Sequence, residues 1–107
     1  MKKRIRDELD TLKDVIIETI PVGKIFLFGS YANGKPNADS DLDIYVVMSD
    51  KSKIKEIDAM KLIRRAIRDK KTMPVDIMVG KEKKFNRRKS SITIEHQIEQ
   101  DGILIYG

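Results

Sequence analysis

A chain of 107 residues without a single cysteine has room for one modest core and excludes disulfide frameworks, thiolate metal sites and thiol catalysis. No apolar run is long enough to span a membrane, and the opening Met1-Lys2-Lys3-Arg4-Ile5-Arg6-Asp7 holds no signal-peptide core, so a cytoplasmic protein is expected. The net charge of +5 arises from 22 basic and 17 acidic residues, a mixed surface that suits a polyanionic ligand such as a nucleoside triphosphate without demanding nucleic acid.

Taken in order, Ile5, Leu9, Leu12, Val15, Ile16 and Ile20 recur at three- and four-residue steps, which predicts an amphipathic helix over 2–20 ended by Pro21 and Gly23. Lys24-Ile25-Phe26-Leu27-Phe28 reads as a buried strand. A Gly29-Ser30 turn then enters a short helical or irregular stretch closed by Gly34 and Pro36, and Asp39 and Ser40 lead into a second strand over 42–47, ending near Met48. Ser52 is a plausible cap for a helix over 53–70, whose buried stripe is Ala59, Ile63, Ala66 and Ile67 with Leu62 alongside. Lys61, Arg64, Arg65 and Arg68 fall on the opposite side and read as a solvated face. Pro74 opens a third strand over 75–79, and Gly80 is expected to end it. Residues 81–89 form a basic cluster with one aromatic, Phe85, read as an anchor to the core in preference to a stacking platform for a base. A last helix over 90–101 carries Ile94 and Ile98 on one face, and Ile103–Tyr106 closes the chain as a short strand or an extended apolar tail, completing a sheet edge or docking on a partner. The expected class is α/β: one small domain over 1–107, a mixed β-sheet covered by helices.

The chemistry concentrates between the first two strands. In a strand, side chains at i and i+2 share a face roughly 6.5–7 Å apart, so Asp41 and Asp43 present two carboxylates side by side while Leu42 and Ile44 face the other way. Adjacent like charges repel unless a cation lies between them, an arrangement that calls for a divalent metal. Asp76, on the third strand, would by itself read as a solvent-facing strand aspartate. Gly29 lets backbone approach a phosphate closely, and Ser30 offers a hydroxyl and an amide; an ordinary turn with a capping serine is the alternative. The turn is not a P-loop, since Gly-Lys-Ser/Thr is missing. Lys35 reads equally as a phosphate contact or a solvated loop lysine. The one histidine, His96, is read as a surface or packing residue, and Tyr31 and Tyr45 as packing residues, although either tyrosine could face a base or receive a nucleotide.

Gly29-Ser30, ten intervening residues and then Asp41-Leu42-Asp43 resembles the signature of the nucleotidyltransferase superfamily related to DNA polymerase beta. Within it the chain is most similar to the minimal nucleotidyltransferases, antitoxin partners of HEPN-domain ribonuclease toxins, and the resemblance covers nearly the whole chain. It implies a polymerase beta palm-like fold, nucleotide binding by Gly29 and Ser30, and a third metal-ligating acid on the next strand, where Asp76 stands. Asp41, Asp43 and Asp76 would then be both metal-binding and catalytic, holding two Mg²⁺ ions (Mn²⁺ as a substitute) with ATP as substrate. AMP would pass to a hydroxyl side chain of a HEPN toxin, with homo- or hetero-oligomers as the assembly and direct nucleic-acid binding not expected. Asn33 departs from the pattern, since many relatives carry Arg there. The rival from another class is a binding module that neutralises a toxin by contact alone, and a stand-alone enzyme acting on RNA or an antibiotic is a third option.

Overall fold

Ile5, Leu9, Leu12 and Ile16 are all buried on one side of the first helix, α1 (Lys3–Thr19), as their spacing requires. The computed structural model describes residues 1–107, and in it α1 lies on a four-stranded sheet. The strands are β1 (Val22–Phe28), β2 (Leu42–Met48), β3 (Val75–Lys81) and β4 (Ile103–Tyr106), in the spatial order β3-β2-β1-β4. β1 runs antiparallel to both β2 and β4, whereas β2 and β3 are parallel. A parallel pair needs a crossover, and helix α2 (Glu56–Ile67) supplies it. The sheet is therefore mixed, as expected.

Alternation along the strands sorts the core into two layers. Ile25, Leu27, Leu42, Ile44, Val46 and Ile77 face α1 and α2 in a cluster of 16 buried residues. The opposite face is smaller: Phe26, Tyr45 and Val47 meet Phe85 and Ile98, which come from helices α3 (Glu82–Arg88) and α4 (Ile94–Asp101). Phe85 packs its ring 5.5 Å from both Phe26 and Tyr45, so its role is the core anchor anticipated for it.

Several boundaries differ from the sequence reading. α2 begins at Glu56 with Lys55 as its N-cap; the Ser52 hydroxyl instead accepts from Ile54 N at 3.2 Å, closing a turn ahead of the helix. Leu62 is exposed. Residues 82–88 of the basic cluster are helical because distant carboxylates serve its start: Lys81 N donates to Glu56 Oε2 at 3.0 Å and Lys83 N to Asp50 Oδ2 at 3.1 Å. Gly80 does not end β3. It lies inside the strand, where any Cβ would collide with the Tyr45 hydroxyl. The last helix starts only at Ile94, with Thr93 accepting from His96 N at 3.1 Å as its cap. Ile103–Tyr106 forms the edge strand against β1, the first of the two fates considered for it.

Candidate functional site

The end of the sheet where β1 finishes and β2 and β3 begin gathers the residues singled out above. Gly29 follows β1 directly with φ +74°, a left-handed conformation that suits glycine, and its carbonyl accepts from Ala32 N and Asn33 N, both at 3.1 Å. A second constraint acts on the same position: a Cβ on Gly29 would collide with Asp43 Oδ2, so the carboxylate lies directly against the turn. Ser30 is half-buried beside it.

Asp43 is half-buried on β2, opposite Phe28 of β1 on one side and Asp76 of β3 on the other. Neighbouring strands are roughly 4.8 Å apart, so the Asp43 and Asp76 backbones are direct neighbours. Asp41 is exposed and stands just before the first residue of β2. Burial, then the charge of Asp76, then that of Asp41 push the Asp43 carboxyl above its ordinary value. Asp76 and Asp41 therefore both act on the Asp43 carboxylate.

They do not close into a ready-made coordination shell. No group of three or more His, Asp or Glu side chains is drawn tightly enough to hold a metal ion, and Asp76 Oδ1 faces Arg64 Nη2 at 3.9 Å. The donor chemistry nevertheless fits a hard divalent cation. The donors are all carboxylate oxygens, two of them on adjacent strands, and their mutual repulsion at Asp43 is what a cation would relieve. Arg64, read from the sequence as part of a solvated face, thus stands at the site. Nothing in the spacing of α2 reveals this, because it depends on how α2 crosses the edge of β3.

A groove beside the turn is lined by Phe28, Gly29, Asn33, Ile94, Gln97 and Asp101 among others, so α4 forms its far wall. That wall is held by a group the sequence reading overlooked. Glu95 is only 3% exposed and accepts from Arg88 Nε at 2.8 Å and from the Tyr45 hydroxyl at 3.0 Å. Burial alone would raise the Glu95 carboxyl, but the bonds from Arg88, its own backbone and Tyr45 outweigh it and leave the group below its ordinary value. Burial and the facing Glu95 charge push the Tyr45 hydroxyl far up. Tyr45 shares the Asp43 face, yet at 1% exposure it is a packing residue with no surface for a nucleotide. Tyr31 packs against the larger core cluster. His96 is exposed with Nδ1 2.7 Å from Lys89 O, joining the start of α4 to the end of α3, and Lys35 is exposed in the loop.

Residues 10–107 match the family model described as Polymerase beta, Nucleotidyltransferase. No curated protein matches the chain in sequence. Among solved structures, a presumed nucleotidyltransferase from Sulfolobus solfataricus is similar over 97% of this chain and 86% of its own, at 22% identity and TM-score 0.59. A toxin–antitoxin structure with AMP-PNP matches over 92% of this chain and 72% of its own, at 22% identity and TM-score 0.61. A mutant of the toxin–antitoxin pair MntA–HpeT matches over the same shares, at 23% identity and TM-score 0.65. The small mixed sheet, its helical cover and the family match over nearly the whole length agree, and the chain belongs to the polymerase beta nucleotidyltransferase family.

Proposed function

We propose that this protein is a metal-dependent nucleotidyltransferase that moves AMP from ATP to a hydroxyl side chain of a cognate HEPN ribonuclease toxin, silencing it as an antitoxin. The observation that carries the reading is the convergence of Asp41, Asp43 and Asp76 on one sheet end, against a glycine turn that only a residue without a Cβ can make. The family match supports nucleotidyl transfer, and structural likeness to a toxin–antitoxin pair with AMP-PNP supports the nucleotide and the class of partner.

In this reading Gly29 and Ser30 offer backbone amide and hydroxyl to the β/γ-phosphates. Asp41, Asp43 and Asp76 would hold two Mg²⁺ ions (with Mn²⁺ as a substitute), which would neutralise phosphate charge and orient the groups for in-line displacement. Asp76 assists the acceptor hydroxyl by accepting its proton. The acceptor oxygen bonds to the α-phosphorus while the α–β bridging bond breaks, so pyrophosphate leaves and AMP stays on the acceptor. The groove between the turn and α4 gives the nucleoside a place to lie beside the triphosphate.

Contact-only neutralisation is the second reading, favoured by the open arrangement of the three acids and the pairing of Asp76 with Arg64. Calorimetry separates the two. ATP binding that requires Mg²⁺ or Mn²⁺ and disappears in Asp41→Asn/Asp43→Asn is the outcome expected of the enzyme. Equal nucleotide affinity in wild type and double variant would remove the site assignment.

A further inference from the structure

Arg64 does something that the other basic residues of α2 do not. Lys61, Arg64, Arg65 and Arg68 are all exposed, but only Arg64 has an acidic partner, Asp76. The route is unusual. α2 packs its Ala59, Ile63 and Ile67 on one face of the sheet, whereas Asp76 and its register partner Asp43 project from the other. β3 is the last strand on its side, so the guanidinium reaches round an open sheet edge to meet a carboxylate of the opposite layer. Both side chains are about half exposed (54% and 55%) at a separation of 3.9 Å, so the pair is solvated and readily exchanged.

Its partner, Asp76, is the register neighbour of Asp43 on the adjacent strand and one of the two acids whose charges load it. A delocalised, permanently charged guanidinium and a hard divalent cation answer the same electrostatic demand at that place. We propose that Arg64 and the divalent cation compete for the Asp76 carboxylate, making Arg64 a positioning residue that sets the threshold for metal loading. Cation binding releases the guanidinium at the rim of the site, where an anionic group of the incoming nucleotide or acceptor can take it up. By linkage, whatever engages Arg64 elsewhere strengthens metal binding. This rests on the reading of Asp41, Asp43 and Asp76 as the metal-holding set.

The test is Mn²⁺ binding to the whole protein, followed by electron paramagnetic resonance of free Mn²⁺ and without nucleotide or partner. In Arg64→Ala the affinity should rise roughly 3- to 10-fold at low salt, as expected for removing one unit charge close to a divalent ion in a solvated site. The gain should shrink in 0.5 M salt, where the screening length falls to about 4 Å, close to the 3.9 Å separation of the pair. Arg64→Lys should lie between the two, since ammonium cannot spread its charge across both oxygens. Arg65→Ala removes the same charge from the same helix without touching Asp76 and should stay within roughly twofold of wild type. An unchanged affinity in Arg64→Ala, or an equal rise in Arg65→Ala, would overturn the competition while leaving the metal site in place. Asp43→Asn tells the two failures apart: if it binds Mn²⁺ as well as wild type does, the metal-holding set is wrong and the role of Arg64 falls with it.

Discussion

Asp43 carries its charge against three opposing influences: partial burial, Asp76 across the strand pair and Asp41 two positions earlier. Its carboxyl titrates above the ordinary value of 3.8, so the folded protein holds that proton more tightly than the unfolded chain does. Below the unfolded value both states are protonated and nothing is lost. As pH rises through that value towards the folded one, the unfolded chain ionises first and stability declines. Asp43→Asn should therefore melt at an equal or higher temperature than wild type at pH 7, by up to about 1 kcal/mol at low salt. The difference should fade as pH approaches 3, which thermal melts across that range would show. A variant less stable than wild type at neutral pH would mean that Asp43 is held by favourable contacts instead. Stability is thus given up where the proposed cation would bind, and Gly29 leaves room for the same carboxylate.

At the scale of elements, the two long helices and the three long strands were legible because each has a period: Ile5, Leu9, Leu12 and Ile16 for one helix, Leu42, Ile44 and Val46 for one strand face. Asp41 and Asp43 lie so close in sequence that no long-range information is needed to bring them near each other, although Asp41 stands just before β2 and not within it. What escaped was everything decided by distant contacts. Glu56 and Asp50 start α3 from positions 25 and 33 residues away, and Tyr45 meets Glu95 across 50. Glycine at position 80 reads as a breaker, and only the Tyr45 hydroxyl packed over it explains why it sits in mid-strand. Glu95 fastens α4, and hence the wall of the groove, to β2 and α3. Glu95→Gln keeps the shape but removes the charge-assisted bond to Arg88, at a cost of about 1–3 kcal/mol. Because the Glu95 carboxyl lies below its ordinary 4.5, its contribution is present above that pH and is lost as pH falls through the lower folded value. The gap between wild type and Glu95→Gln in urea melts should accordingly be full at neutral pH and narrow as pH falls below the ordinary value of 4.5. A gap independent of pH would contradict the ionised pair.

For the molecule as a whole, the two ends of the sheet divide the labour. One edge strand, β3, brings Asp76 to the site, where Arg64 of α2 meets it, while the other, β4, leaves Ile103, Leu104 and Tyr106 exposed at 38%, 47% and 38%. No helix is long and apolar enough to cross a membrane, and the overall charge of +5 accords with a polyanionic substrate. The proposed acceptor is a hydroxyl of another protein, so the decisive measurement is made on that partner and not on this chain. Asp76→Asn is nearly isosteric, sits on an exposed strand position and preserves any surface needed for contact alone. Loss of a metal ligand or general base costs on the order of 10²–10⁴-fold in rate. Intact-mass spectrometry of the cognate toxin, incubated with ATP, Mg²⁺ and this protein, should show a gain in AMP units with wild type and none with Asp76→Asn, although both bind the toxin. A toxin silenced equally by both proteins, with no change in mass from either, would contradict nucleotidyl transfer and leave a protein that works by contact.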